Sequence, residues 1–148
     1  MPVYESQVPL RGPSERIFDF LTRPANMKLI SPPEVQMSIV EAPEVLSLGS
    51  KIVFKVVVYG HVQQFEHEII DFESPTRFRE KAIVTPMKSW QQEYSLQPSD
   101  NDEVILCTRI EFEPPGGMLG FILTEDRILE TLKDNHQYRR EALQKALA

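Results

Sequence analysis

The chain has one cysteine, Cys107, among 148 residues, so no disulfide can close within it. That absence excludes a small disulfide-stapled scaffold and makes a reducing cytoplasm the simplest home. Histidine is also scarce. His61, His67 and His136 are scattered and share no zinc-like spacing with the cysteine, so neither a metal nor another cofactor is expected. No lysine or arginine cluster interrupts a net charge of −6, which removes the phosphate-tracking surface that a nucleic-acid partner requires. Long apolar runs are missing. The longest, such as Ile52 to Tyr59, are too short and too charged to form a transmembrane segment. The opening MPVYESQVPL lacks the basic and apolar regions of a secretory signal. A cytoplasmic protein is expected, with its oligomeric state left open.

What is present is an ordinary globular composition, 41% hydrophobic and 26% charged. No repeat, linker or low-complexity tract divides residues 1–148, and the length suits a single domain with a real core. The pattern predicts a strand over Val3–Leu10, then a short helix in PSERIFDFL with Ser14 as N-cap and Ile17, Phe18 and Leu21 as its apolar stripe. A second short helix is predicted over Ala25–Leu29, before Ser31-Pro32-Pro33. Six strands follow: Val35–Val40, Lys51–Tyr59, Val62–Phe72, Arg77–Val84, Trp90–Leu96 and Val104–Phe112. Gly60-His61 reads as a tight turn between the second and third of these.

The last strand runs into EPPGGMLG, Glu113 to Gly120, and then into residues of helical period. Pro114-Pro115 cannot donate to a ladder and ends the strand. Gly116-Gly117 permits a reversal, and Gly120 would let the new helix approach a strand closely. Met118, Leu119 and Phe121 are expected to face inward as a gate at the helix entry. The helix proper begins either near Leu119 or at Thr124, whose Thr-Glu-Asp sequence is a good N-cap with acidic first-turn residues. Its stripe is predicted through Ile122, Asp126, Leu129, Leu132/Lys133, His136, Arg140, Leu143 and Leu147, with Ile128, Tyr138, Ala142 and Ala146 on a neighbouring row.

Strands in sequence with short connections build an antiparallel meander, and one long helix must bury its stripe on the inner face of that sheet. An α+β architecture follows: a curved antiparallel sheet of about seven strands, two short helices, and a long C-terminal helix across the concave face. Alternation aligns Gln63, Phe65, His67 and Ile69; Phe78, Glu80, Ala82 and Val84; Trp90, Gln92, Tyr94 and Leu96; and Leu106, Thr108, Ile110 and Phe112. Each inner face is apolar with one or two polar groups. A dry core penalises such groups unless they are paired. A ligand cavity, of order 300–1,000 Å3, uses them.

These segments resemble the START/Bet v 1-like superfamily, also called polyketide cyclase/dehydrase and lipid transport or SRPBCC, with its helix-grip fold. PSERIFDFLTRPANMKLISPP resembles that family's hydrophobic helix with a Pro-Asn step and proline-rich exit. EIIDFESPTRF, Ser89-Trp90, the Pro-Gly exit at Glu113 and the pair Tyr138-Arg139 resemble further signposts. The resemblance implies a small apolar or lipid-like ligand held between sheet and helix, on a scaffold that also hosts cyclases and dehydratases. One departure bears on activity. Where family members carry histidine and aspartate, this chain has Gln92, Tyr94 and Thr108, none a ready general base.

The ligand-contact candidates are Phe65, His67, Glu80, Trp90, Gln92, Tyr94, Thr108, Ile110, Met118, Phe121 and Ile122. Catalytic residues are unassigned, with Glu80 and His67 as the acid/base candidates. Each has a structural alternative: Glu80 paired with a cation or wet at the cavity mouth, His67 hydrogen-bonded without chemistry. Trp90 and Tyr94 serve equally as core aromatics, and Cys107 falls on the outward face. Three functions therefore stand: binding of a small, mostly apolar ligand; a cyclase/dehydratase-type enzyme using Glu80 or His67, with Tyr94 as orienter; and an interaction module with no ligand. A close, titrating Glu80–His67 pair separates the second from the first, and a cavity separates both from the third.

Overall fold

The structure is a computed structural model that describes residues 1–58 and 60–148. Seven antiparallel strands form one curved sheet in the order β1-β7-β6-β5-β4-β3-β2. They are β1 (Val3–Arg11), β2 (Ser38–Glu41), β3 (Lys51–Val58), β4 (His61–Glu73), β5 (Arg77–Val84), β6 (Ser89–Pro98) and β7 (Glu103–Glu113). The helices are α1 (Ser14–Leu21), α2 (Pro24–Leu29), α3 (Leu119–Ile122) and the long C-terminal α4 (Glu125–Ala146). Only the β1–β7 pair joins strands distant in sequence; it runs in register from Val3 opposite Glu111 to Arg11 opposite Glu103. The predicted strand end at Tyr59 lies outside the described residues; of the predicted Gly60-His61 turn, Gly60 has the positive φ of 78° that such a turn favours and His61 opens β4.

Alternation selects the faces as expected. Leu106, Thr108, Ile110 and Phe112 are all buried, as are Phe78, Glu80 and Ala82, and Tyr94 with Leu96. Gln63 and Val84 are exposed instead. Bulges in β4, at Glu66/His67 and at Ile69/Asp71, shift its register against β5. The second bulge lets Phe72 join the core, where its ring meets Phe18 at 5.3 Å and Phe78 at 6.4 Å. Cross-strand ion pairs occupy the outer face: Arg79–Glu93 at 2.9 Å, Arg77–Asp71 at 2.7 Å and Arg109–Glu5 at 2.7 Å. Cys107 lies half-buried on that same side.

The local expectations need four corrections. Pro13, not Ser14, is the N-cap of α1; Ser14 is its first helical residue and makes no side-chain cap bond. Val35 belongs to a 3-10 turn, Pro33–Val35, because the left-handed Gln36, φ 45°, breaks the chain before β2. Of the two helix starts left open, Thr124 is the one that opens α4, its Oγ1 accepting from the Arg127 amide at 3.3 Å, after the one-turn α3 ends before Leu123. The third correction is within the stripe: Leu132, Leu143 and Leu147 are buried as predicted, but Asp126, Lys133 and Arg140 are exposed, and Ile128 of the neighbouring row is buried instead. Arg140 instead donates to the Gln7 carbonyl at 3.1 Å and Gln144 to the Pro9 carbonyl at 3.3 Å, covering the outer edge of β1.

The fourth correction concerns the gate. Met118 and Phe121 are each 85% exposed, Ile122 52% and Leu119 41%; Leu123 is the residue of this segment that is buried. The one-turn helix α3 turns its apolar side chains outward while Leu123 anchors it to Ile110, Phe112, Ile128 and Leu132. The close approach at Gly120 is to the carbonyl of Pro115, not to a strand. A Cβ there would collide with that backbone oxygen. Gly120→Val should therefore destabilise the fold by about 1–3 kcal/mol, a fall of several degrees in the thermal midpoint. An unchanged midpoint would show that Pro115 yields freely.

Candidate functional site

Three neighbouring strands bring the inward polar side chains together. Ile69 stands opposite Glu80 and Phe78 opposite Tyr94, so His67 on β4 and Tyr94 on β6 are each diagonal neighbours of Glu80 on β5. Tyr94 Oη donates to Glu80 Oε1 at 3.5 Å. His67 Nδ1 lies 3.5 Å from Glu80 Oε2. All three residues are buried, at 5%, 3% and 6% exposure for Tyr94, Glu80 and His67. From the other side α4 delivers Arg139, whose Nη1 donates to Tyr94 Oη at 3.4 Å and whose guanidinium sits 5.1 Å from the centre of the Tyr94 ring. The phenol hydroxyl thus stands between a guanidinium and a carboxylate.

A cavity adjoins this cluster. Its polar lining is Glu80, Tyr94, Arg139 and Asn26, and its apolar walls are Phe20, Leu21, Met27, Ile30, Leu46 and Phe78. The volume is about 20 Å3. A water needs roughly 10–15 Å3, so this is room for about one. The space beside the quartet is therefore far smaller than the several hundred Å3 expected. Phe18, Phe78 and Tyr94 explain much of the filling: Phe18 of α1 meets Phe78 edge-on at 5.7 Å and Phe78 lies tilted against Tyr94 at 4.9 Å, while α1 and α2 also supply Phe20 and Met27.

Burial dominates the electrostatics. It pushes the Tyr94 phenol up to about 12, with Arg139 opposing and Glu80 adding to the rise. Among the described residues His67 Nδ1 has no hydrogen-bond partner, and its ring meets Phe54 edge-on at 5.0 Å. Arg139 Nε is likewise buried without a hydrogen-bond partner among them. One turn earlier on α4, His136 Nδ1 donates to the Leu132 carbonyl at 2.9 Å and the ring lies 5.0 Å from Tyr4. Burial and the nearby Arg139 charge lower His136 to about 4, against the backbone hydrogen bond.

The other sequence candidates lie around this centre rather than in it. Gln92 is half-buried opposite Glu80, and Thr108 is buried opposite Tyr94. Phe65 stacks on Phe54 at 5.5 Å. Trp90 and Ile110 join the separate cluster around Phe112. Met118, Phe121 and Ile122 are outside on the surface. Arg139 was not among the ligand-contact candidates; its sequence signal was its place in the Tyr138-Arg139 pair, but helix phase pointed to Arg140. The walls from α1, α2 and Leu46 had no sequence signal beyond being apolar. Among the described residues, no group of three His, Cys, Asp or Glu gathers as a metal site. No helix among them is long and apolar enough to cross a membrane.

No protein-family model and no curated protein matches the chain. Solved structures do match in fold. Protein CV1439 from Chromobacterium violaceum superposes with a TM-score of 0.76 at 13% identity, over 98% of this chain and 96% of that one. A START superfamily protein from Mycobacterium smegmatis gives 0.71 at 13% identity, over 98% and 96%. The di-domain ARO/CYC StfQ of the steffimycin biosynthetic pathway gives 0.73 at 11% identity, over 99% of this chain and 50% of that one. The chain has the helix-grip, START/Bet v 1-like fold.

The His136 environment has a pH consequence. In the unfolded chain a histidine takes up its proton near 6.5, whereas the folded chain resists protonation down to about 4. Between these values the unfolded state binds more protons, so stability falls as pH drops from 6.5 towards 4. The full shift corresponds to about 3 kcal/mol. Denaturant unfolding at pH 7, 5.5 and 4 should show a shallower loss for His136→Gln than for the wild-type chain. Parallel losses would place the acid sensitivity elsewhere.

Proposed function

We propose that the protein binds a small, mostly apolar molecule between the sheet and α4, with the molecule's polar end against Tyr94, Glu80 and Arg139. The observation that carries this reading is the buried quartet beside the cavity. A phenol, a carboxylate, an imidazole and a guanidinium meet on an apolar face through contacts of 3.4–3.5 Å. Protein hydrogen bonds to oxygen centre at about 2.7–3.0 Å, so these contacts are long. Contacts this long leave hydrogen-bonding capacity for a ligand. Admission requires one wall to move, and α2 is the least costly: Pro24 is its only buried residue, and Leu29 is 63% exposed. Likeness in fold to a START superfamily protein supports the placement of a ligand between sheet and helix.

The contact between His67 and Glu80 favours a second reading, an enzyme of the cyclase/dehydratase kind. There Glu80 or His67 moves the proton and Tyr94 orients the substrate. Native mass spectrometry separates the two. Wild-type and Glu80→Gln protein from the same host retain a molecule of the same mass if the protein only binds. A mass that differs between them, by a water for a dehydration, marks an enzyme.

For the leading reading, freshly purified wild-type protein should retain a small molecule or bind an apolar fluorescent probe saturably. Tyr94→Phe should weaken a polar-headed ligand about tenfold, the loss of one buried hydrogen bond, with the fold intact and the thermal midpoint lowered by a few degrees because Glu80 and Arg139 lose that partner. Neither retention nor saturable binding would defeat it. Self-association in that case would favour the interaction module, with exposed Met118 and Phe121 as its surface.

A further inference from the structure

The cavity's hydrogen-bonding groups are not interchangeable. Arg139 brings five N–H donors and a permanent charge. One of them, on Nη1, reaches Tyr94 Oη, while Nε is buried without a partner among the described residues. Glu80 is an acceptor: its Oε1 receives the Tyr94 hydroxyl, and Oε2 faces His67. Asn26 donates through Nδ2 to the Phe20 carbonyl at 3.0 Å. So the lining offers donors at Arg139 and an acceptor at Glu80, with a single hydroxyl oxygen between guanidinium and carboxylate.

Charge narrows the choice further. The lining carries one cation and one anion. An anionic head satisfies Arg139 but brings a like charge to Glu80. A cationic head does the reverse. A ketone or ether satisfies Arg139 and leaves the acceptor side without a donor. A bare hydrocarbon satisfies neither. Each mismatch leaves a buried polar group unpaired, which is the strongest source of discrimination that a small site has.

Resting on the binding reading above, we infer that the site selects an uncharged head that carries a hydrogen-bond acceptor and a donor side by side, as a carboxamide does, on an apolar body. The acceptor oxygen takes the Arg139 donors and the N–H side faces Glu80. The apolar body lies against Phe20, Leu46 and Phe78, in the space that α2 gives up as it moves.

Four probes of similar size test this by NMR chemical-shift titration: benzamide, benzoate, acetophenone and toluene. In the wild-type protein benzamide should bind most tightly, with each of the others weaker by about tenfold or more, the effect of one mismatched buried hydrogen bond. In Arg139→Met, benzamide and toluene should converge. In Glu80→Gln, the deficit of benzoate against benzamide should narrow because the like charge is gone. Toluene equal to benzamide in the wild-type protein, or benzoate tighter than benzamide, overturns the inference and leaves the binding reading standing. No shift with any of the four overturns both. The wild-type panel is decisive by itself, even where a variant fails to fold.

Discussion

The seat of α4 on the sheet is the constraint on which the rest of the molecule depends. A solitary helix with so many charged outer residues is marginal in water, and packing of one face is what holds it. Ile128 and Leu132 pack with Ile110, Phe112 and Leu123, while Leu143, fully buried, and Leu147 join the larger cluster with Ile17, Phe18 and Leu106. Each such side chain contributes about 1.5–3 kcal/mol, a large share of the 5–15 kcal/mol that a domain has in total. The same seat protects the sheet. Arg140 and Gln144 reach the Gln7 and Pro9 carbonyls of edge strand β1.

Fixing the hydrophobic stripe also fixes which polar side chains of α4 face inward. Arg139 and His136 are one turn apart on that side, and their surroundings treat them differently. Arg139 cannot lose its charge, so it needs an acceptor and finds the Tyr94 hydroxyl, beyond which stands Glu80. His136 can be neutral, and burial beside Tyr4 and near Arg139 keeps it so. The polar quartet is consequently a product of packing: two apolar clusters hold the helix, and the charged groups meet where those clusters leave room. Its long contacts are what distinguish it from a satisfied core network.

The connector obeys a different logic from the helix it leads into. Apolar character alone suggested that Met118, Leu119 and Phe121 close the end of the sheet. The backbone decides otherwise. Gly117 at φ 62° reverses the chain, α3 lasts one turn, and only Leu123 reaches the core before Thr124 restarts the helix. Glycine at position 120 is required by the Pro115 carbonyl, a contact within the connector itself. A hydrophobic run carries no periodicity over so few residues, so its burial could not be read without the turn geometry.

Where a period existed, the sequence was sufficient. Seven strands, two short helices, a long terminal helix and the inward direction of His67, Glu80, Tyr94 and Thr108 all follow from alternation, proline and glycine, because those rules act between neighbours in the chain. The phase of α4 followed only in part: Leu132, Leu143 and Leu147 are buried as its period predicts, but Asp126 and Arg140 are exposed and Arg139 turns inward instead. Nor did the near-closure of the cavity, which depends on how Phe20, Met27 and Phe78, from three separate elements, share one volume. The meeting of Arg139 with Tyr94, 45 positions apart, belongs to the same class. Local rules settle which way a side chain points; what it meets there is set by the packing of distant elements, whose relative placement no short-range pattern encodes.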